Sequence, residues 1–150
     1  MRVQTQFKSI FYTVLIFLLI HLYSCKEKVE HIPYVPVNFT VDLNRFNDLT
    51  STGFSAKYPY DGYGGVIIYC EFYDVAIPSN SVYHAFDATC TFEISDTCSV
   101  VNEGNGLKAT CPCCGSTYML YDGFPISGEA SVSLKEYNIS LLSNKLYISN

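Results

Sequence analysis

The sequence predicts an all-β domain, a sandwich or small barrel built from about eight or nine short strands. Three observations carry this. The chain holds 13 Tyr and 10 Phe but no Trp, and its aromatic and β-branched runs are repeatedly broken by Gly, Pro and Asn, the composition of strands and turns. No window after Cys25 sustains a 3.6-residue apolar period over the length of a helix. Two sites carry hairpin signals, Asn105-Gly106 and Ser143-Asn144, the first being the strongest short turn pair known.

In chain order, Val37, Phe39, Val41 and Leu43 alternate with Asn38, Thr40, Asp42 and Asn44, a period of two that buries one face of a strand. Arg45 to Gly53 is polar and turn-rich. Phe54 to Tyr60 reads as a short strand ended by Pro59 and by the turn Asp61-Gly62 with Gly64-Gly65. Val66 to Phe72 is a continuous apolar run, the pattern of a strand covered on both faces. Pro78 to Ser81 turns into a strand from Val82 to Asp87. Ser99 to Asn102 and Leu107 to Thr110 form a hairpin across Glu103-Gly104-Asn105-Gly106. Thr117 to Leu120 is a further strand, and Asp122-Gly123 opens a long loop. Leu134 to Leu142 and Lys145 to Ile148 close the chain as a second hairpin.

The first 24 residues are expected to stand outside this domain. Ile10 to Ile20 is an uncharged apolar run of 11, preceded by Arg2 and Lys8. It is too short to cross a bilayer, which needs about 20 residues, and fits the apolar core of a secretory signal. Leu22-Tyr23-Ser24-Cys25 resembles the lipobox of bacterial lipoproteins, which implies cleavage before Cys25 and a lipid on its sulfur. The expected organisation is a signal over 1–24, a tether over 25–36 punctuated by Pro33 and Pro36, and one β domain over 37–150. Cleavage removes 24 of 150 residues, leaving 126, and takes Arg2 and Lys8 from the 9 basic side chains; 7 then face 14 acidic ones, a net charge of −7. That acidity excludes the basic footprint of a nucleic-acid binder. The expected location is the cell envelope, periplasm-facing or at the surface, with the acyl chain as the membrane contact.

Seven cysteines occur. With Cys25 assigned to lipid, five of the remaining six lie between positions 90 and 114, on two loops flanking the Asn-Gly hairpin. That clustering favours a metal centre or its remnant over disulfides that staple a domain. Cys70, inside an apolar strand, reads as a small core side chain. The second loop, Cys111-Pro112-Cys113-Cys114-Gly115-Ser116-Thr117-Tyr118, resembles the second cluster-binding loop of Rieske iron–sulfur proteins, Cys-Pro-x-His-Gly-Ser-x-Tyr/Phe. Cys90-Thr91-Phe92, which follows the strand Val82 to Asp87, with 20 residues between Cys90 and Cys111, resembles the family's first loop, Cys-x-His. Gly123-Phe124-Pro125-Ile126-Ser127-Gly128 and Leu134 to Tyr137 resemble its third loop and following strand. The likeness spans roughly Val82 to Ile148.

This resemblance implies a Rieske-like antiparallel β-sandwich or barrel with a cluster-binding subdomain at about 82–120. It implies Cys90 and Cys111 as thiolate ligands, Ser116 as the hydroxyl that hydrogen-bonds a bridging sulfide, and Tyr118 as the phenol that hydrogen-bonds a ligand sulfur. The two histidines that lift the potential of a Rieske centre to roughly −150 to +300 mV are replaced by Phe92 and Cys114. His84, on the preceding strand, reads as a half-buried structural histidine, and His31 as a solvated one.

Four readings of the loops follow. Cys90, Cys111, Cys114 and one of Cys98 or Cys113 hold a 2Fe–2S cluster, whose four thiolates set a potential near −400 mV; the same four hold zinc, with Cys111-x-x-Cys114-Gly115 as a knuckle turn; a disulfide links the loops, for instance Cys90 to Cys111 or Cys114, the pairing itself being beyond what spacing determines; or the thiols stand free. The leading functional expectation is an iron–sulfur, electron-transfer module serving a redox protein partner, with no catalytic domain of its own. The other is a structural or binding lipoprotein that kept the scaffold and lost the cluster. Asp87 and Glu93, flanking the first loop, are expected to be solvated.

Overall fold

The structure, a computed structural model, describes residues 31–45, 47–102 and 106–150. The signal, Cys25, the first part of the tether and the turn residues 103–105 lie outside the described residues. Among those described, no helix is long and apolar enough to cross a membrane.

The described residues form ten strands: β1 (Asn38–Asp42), β2 (Ser55–Tyr58), β3 (Val66–Phe72), β4 (Val82–Asp87), β5 (Val101–Asn102), β6 (Lys108–Thr110), β7 (Thr117–Met119), β8 (Pro125–Ser127), β9 (Glu136–Leu142) and β10 (Lys145–Ser149), with short 3-10 turns at Asn47–Thr50 and Pro78–Asn80. All pairings are antiparallel. Six strands form one sheet in the order β1-β10-β9-β4-β3-β2, and four form a smaller sheet in the order β5-β6-β7-β8. The expected all-β architecture is therefore present, and β3 and β4 begin and end where the apolar patterns do.

The alternation in β1 is realised: Val37, Val41 and Leu43 are buried and Phe39 packs against the same core. The continuous run in β3 is explained by two cores, one on each face. Val66, Ile68 and Cys70 enter the first, with Tyr83, Leu146 and Ile148. Ile67 and Tyr69 enter the second, with Phe86, Val100, Tyr118 and Leu120. At the β9–β10 turn Ser143 and Asn144 both take positive φ, 50° and 60°, as a two-residue hairpin turn matched to strand twist requires.

The segment opened by Asp122-Gly123 contains a strand where a loop is expected. Pro125 begins β8 at the outer edge of the small sheet, one of the few strand positions that tolerates a residue without an N–H. Lys57 links the large sheet to the small one: its half-buried ammonium donates to Ser99 Oγ at 2.7 Å and to the Val100 carbonyl at 3.0 Å.

Candidate metal centre

The second core ends in sulfur. Cys90 stands just after β4, and its N–H donates to the Cys98 carbonyl at 3.1 Å, which closes the first loop on itself. Cys111 stands just after β6. Its N–H donates to the Ser116 carbonyl at 2.8 Å, and the Gly115 N–H returns to the Cys111 carbonyl at 2.9 Å. Gly115 sits at φ +74°, a left-handed conformation that glycine adopts without steric cost, and this tight turn brings Cys114 back beside Cys111.

Cys90, Cys111 and Cys114 thereby converge, with their sulfur atoms all within 4.8 Å of one another. Cys90 and Cys111 are fully buried and Cys114 is partly exposed. The Cys90 and Cys114 sulfurs are 3.5 Å apart, close to the roughly 3.8 Å expected for two thiolates on one tetrahedral ion with metal–sulfur bonds of about 2.3 Å.

The sulfurs are surrounded by hydrogen-bond partners. Tyr118 Oη is 3.5 Å from Cys90 Sγ. Burial pushes the Cys111 thiol up to about 11, although the backbone N–H groups of Cys114 and Cys113 hydrogen-bond its sulfur and pull the other way. At Cys114 burial also opposes ionisation, but the Ser116 hydroxyl and backbone N–H overcome it and leave the pKa below the ordinary thiol range. The Ser116 oxygen accepts from the N–H groups of Glu129 and Ala130, each at 3.0 Å. With both lone pairs engaged, its O–H is left to donate to the Cys114 sulfur, 3.1 Å away.

The remaining pair behaves differently. Cys98 and Cys113 are joined in a disulfide that ties the two loops across 15 positions of sequence. A disulfide linking the two loops is one of the expected readings, and this pair bears on the others. The disulfide of this tip does not involve Cys90, Cys111 or Cys114, which are free. Nor does Cys98 or Cys113 offer a fourth thiolate while they are bonded to each other. Pairing follows loop geometry, which spacing alone does not reveal.

Other positions fall as follows. Cys70 is buried in the first core, away from this cluster. Phe92, at the family's first histidine position, is 51% exposed. His84 is half-buried, 2.7 Å from the Glu71 carboxylate and stacked on Tyr69 and Phe86. His31 is exposed. Glu93 is exposed, but its carboxylate lies 3.7 Å from Cys98 Sγ and within 4.8 Å of the Cys111 and Cys113 sulfurs, and Asp87, expected to be solvated, is fully buried. It accepts hydrogen bonds from the N–H groups of Tyr63, Gly64 and Thr89 and the hydroxyls of Thr89 and Tyr137. Although burial opposes its charge, these donors hold its carboxyl below the usual carboxylate range. Asp87 thus fixes the stem from which Cys90 projects.

Two contributors escaped the sequence reading. Thr91 N–H donates to Tyr118 Oη at 3.2 Å, its hydroxyl lies 3.0 Å from the same oxygen, and it donates to the Val132 carbonyl at 2.6 Å. Gly128 presses on Ser116 so closely that a Cβ would stand 2.7 Å from Ser116 Oγ. Thr91 in a loop carries no distinctive signal, whereas Gly128 closes the segment that resembles a third loop, where the sequence reading assigns it no role.

A 2Fe–2S cluster takes four protein ligands. With the Cys98–Cys113 bond closed, the described residues bring three free thiols and no imidazole to this point, so the donor set does not fit that cluster. Three soft sulfurs around one point do fit a single soft cation such as zinc.

No protein-family model matches the chain, and no curated protein does. Among solved structures, the chain is similar to the plasma-membrane Rieske protein of the cyanobacterium Synechocystis, at 22% identity and a TM-score of 0.48, covering 78% of this chain and 100% of that one. It is similar to the ferredoxin of carbazole 1,9a-dioxygenase from Nocardioides aromaticivorans, at 14% identity and a TM-score of 0.47, covering 77% and 97%. A ferredoxin of Sphingomonas yanoikuyae is similar at 13% identity and a TM-score of 0.44, covering 67% and 88%.

Proposed function

We propose that the chain is a lipid-anchored, Rieske-like module of the electron-transfer type with a degenerate ligand set, and that its tip binds metal through thiolates rather than turning over a substrate; the three free thiols suit one soft cation, and carrying electrons on a 2Fe–2S cluster would require a fourth ligand. The observation that carries this is the convergence of Cys90, Cys111 and Cys114 from two loops to within 4.8 Å. The order of the loop residues supports it, as do the hydrogen bonds aimed at the sulfurs. Tyr118 at Cys90, backbone N–H groups at Cys111 and Ser116 at Cys114 are the partners that a cluster of thiolates needs and that buried neutral thiols do not. Cys25 would supply the membrane attachment, and a protein partner the electrons.

A second reading is a structural or binding lipoprotein in which zinc, or the disulfide alone, holds the loops. The Cys98–Cys113 bond favours it, because the loops are already tied.

Purification without oxygen, with iron, zinc and acid-labile sulfide counted and a visible spectrum recorded, separates these readings. Iron and sulfide near two per chain (the stoichiometry of a 2Fe–2S centre) with reversible bleaching supports electron transfer. A single zinc supports the structural reading. Cys90→Ser is expected to abolish bound metal in either case, and a variant that keeps its metal would sink the assigned site. A protein that neither carries metal nor takes up zinc or cobalt would sink the metal-binding proposal as a whole.

A further inference from the structure

The tip holds three free sulfurs and, beside them, two more locked in a bond. We propose that the Cys98–Cys113 disulfide is a redox gate on the metal site: closed, the tip presents three thiolates, and opened, Cys113 becomes the fourth ligand. This rests on the reading above that the tip binds metal.

Position argues first. The Cys113 sulfur lies within 4.8 Å of the Cys111 sulfur, about 1 Å beyond the spacing of two thiolates on one tetrahedral ion. Cys111 belongs both to a group with Cys113 and the Glu93 carboxylate and to the trio with Cys90 and Cys114, so it is the shared corner through which Cys113 can join. Cys113 sits in the exposed turn Pro112-Cys113-Cys114, where a rotation of its side chain meets no core packing.

Access and cost argue next. Cys113 is exposed and Cys98 partly so, leaving the bond open to a dithiol reductant. Opening it does not dismantle the loops. The first is held by Cys90 N–H to the Cys98 carbonyl, by Val100 N–H to the Ala88 carbonyl at 2.6 Å and by the bridge between Thr89 and Ser99. The second is held by Cys111 N–H to Ser116 and Gly115 N–H to Cys111. The chemistry balances as thiol–disulfide exchange: a dithiol passes two electrons and two protons to the Cys98–Cys113 bond, becomes a disulfide itself, and leaves two thiols in the tip. Metal binding then displaces the proton of Cys113.

The test uses purified protein in two forms, air-equilibrated and treated with dithiothreitol then desalted without oxygen, with alkylation confirming a gain of two thiols. Each form is titrated with Co2+, whose thiolate charge-transfer absorption grows with the number of sulfurs bound, and with Zn2+ in competition. The reduced form is expected to bind at least about tenfold more tightly, as a fourth ligand closes the coordination sphere, and to show one more thiolate on cobalt. Cys98→Ser, which frees Cys113, is expected to behave as the reduced form without any dithiol. Cys113→Ser is expected to keep the three-thiolate spectrum in both conditions. Equal affinity and equal spectra in the two forms would overturn the gate while leaving the metal site standing. Binding in neither form would overturn the site itself. A Cys98→Ser protein that behaves as the oxidised form would remove Cys113 as the ligand.

Discussion

Cys70 and Cys111 are both fully buried strand-end or strand residues, and burial pushes both thiols up to about 11. Their surroundings differ. Cys70 stands in the first core among Val66, Ile68 and Leu146, with the Tyr83 hydroxyl as its polar neighbour. Cys111 stands at the rim of the second core, with two backbone N–H groups directed at its sulfur and the sulfurs of Cys90, Cys114 and Cys113 within 4.8 Å. Burial and pKa therefore do not separate a packing cysteine from a ligand. What separates them is whether donors and other sulfurs surround the atom, because a thiolate needs charge compensation and a thiol in an apolar core does not.

The largest effect that could break this comparison is on metal affinity. Cys111→Ser is expected to weaken Zn2+ and Co2+ binding by about a hundredfold or more, the loss of a direct ligand exceeding the 10–100-fold typical of outer-shell changes. Cys70→Ser is expected to leave affinity unchanged and to cost about 1–3 kcal/mol of stability, since a hydroxyl replaces a thiol in an apolar site. Metal titration and urea unfolding of both variants decide it, and lost metal in Cys70→Ser would show that the first core is also part of the site.

A smaller effect sharpens the role of packing at the rim. Gly128 takes φ +92° and any Cβ would collide with Ser116. Gly128→Ala is expected to cost about 2–3 kcal/mol and to weaken metal binding as Ser116 withdraws from Cys114. Unchanged cobalt spectra in that variant would mean that Ser116 does not tune the cluster.

The smallest effect is in alkaline solution. Both thiols have folded pKa values raised above the usual 9, so each contributes stability that is fully present below pH 9 and is lost as pH rises through about 11. Metal-free wild type is expected to lose stability across that window more steeply than Cys70→Ala, measured as urea midpoints against pH. With metal bound, Cys111 is already a thiolate, and only the Cys70 contribution is expected to remain. Parallel curves for wild type and Cys70→Ala would show that Cys70 ionises equally easily when unfolded and folded.

The strands were legible where burial is regular. Val66–Phe72 and Val82–Asp87 stand out because one is covered on both faces and the other leads into the second core. Pro125–Ser127 was not legible, because a three-residue edge strand starting at proline looks like a loop until its neighbour β7 is in place. Convergence of Cys90 with Cys111 and Cys114 was foreseen from the order of residues in two loops. The partner of Cys98 was not, since five cysteines within 25 positions allow many pairings and the chosen one depends on how the loops lie. Burial of Asp87 was likewise invisible: its five hydrogen bonds come from Tyr63, Gly64, Thr89 and Tyr137, which are remote from it in sequence except for Thr89.

Thr91 ties the first loop to Tyr118 and Val132, and the N–H groups of Glu129 and Ala130 tie the third loop to Ser116. None of these fastenings passes through sulfur. The three loops are thus joined by hydrogen bonds that need no metal, and the socket they form is expected to keep its shape when empty, unlike small zinc domains that collapse when stripped. Were a metal to occupy such a socket, filling and emptying it would be an exchange of ions at a finished surface, able to recur many times over the life of one molecule without the chain having to refold.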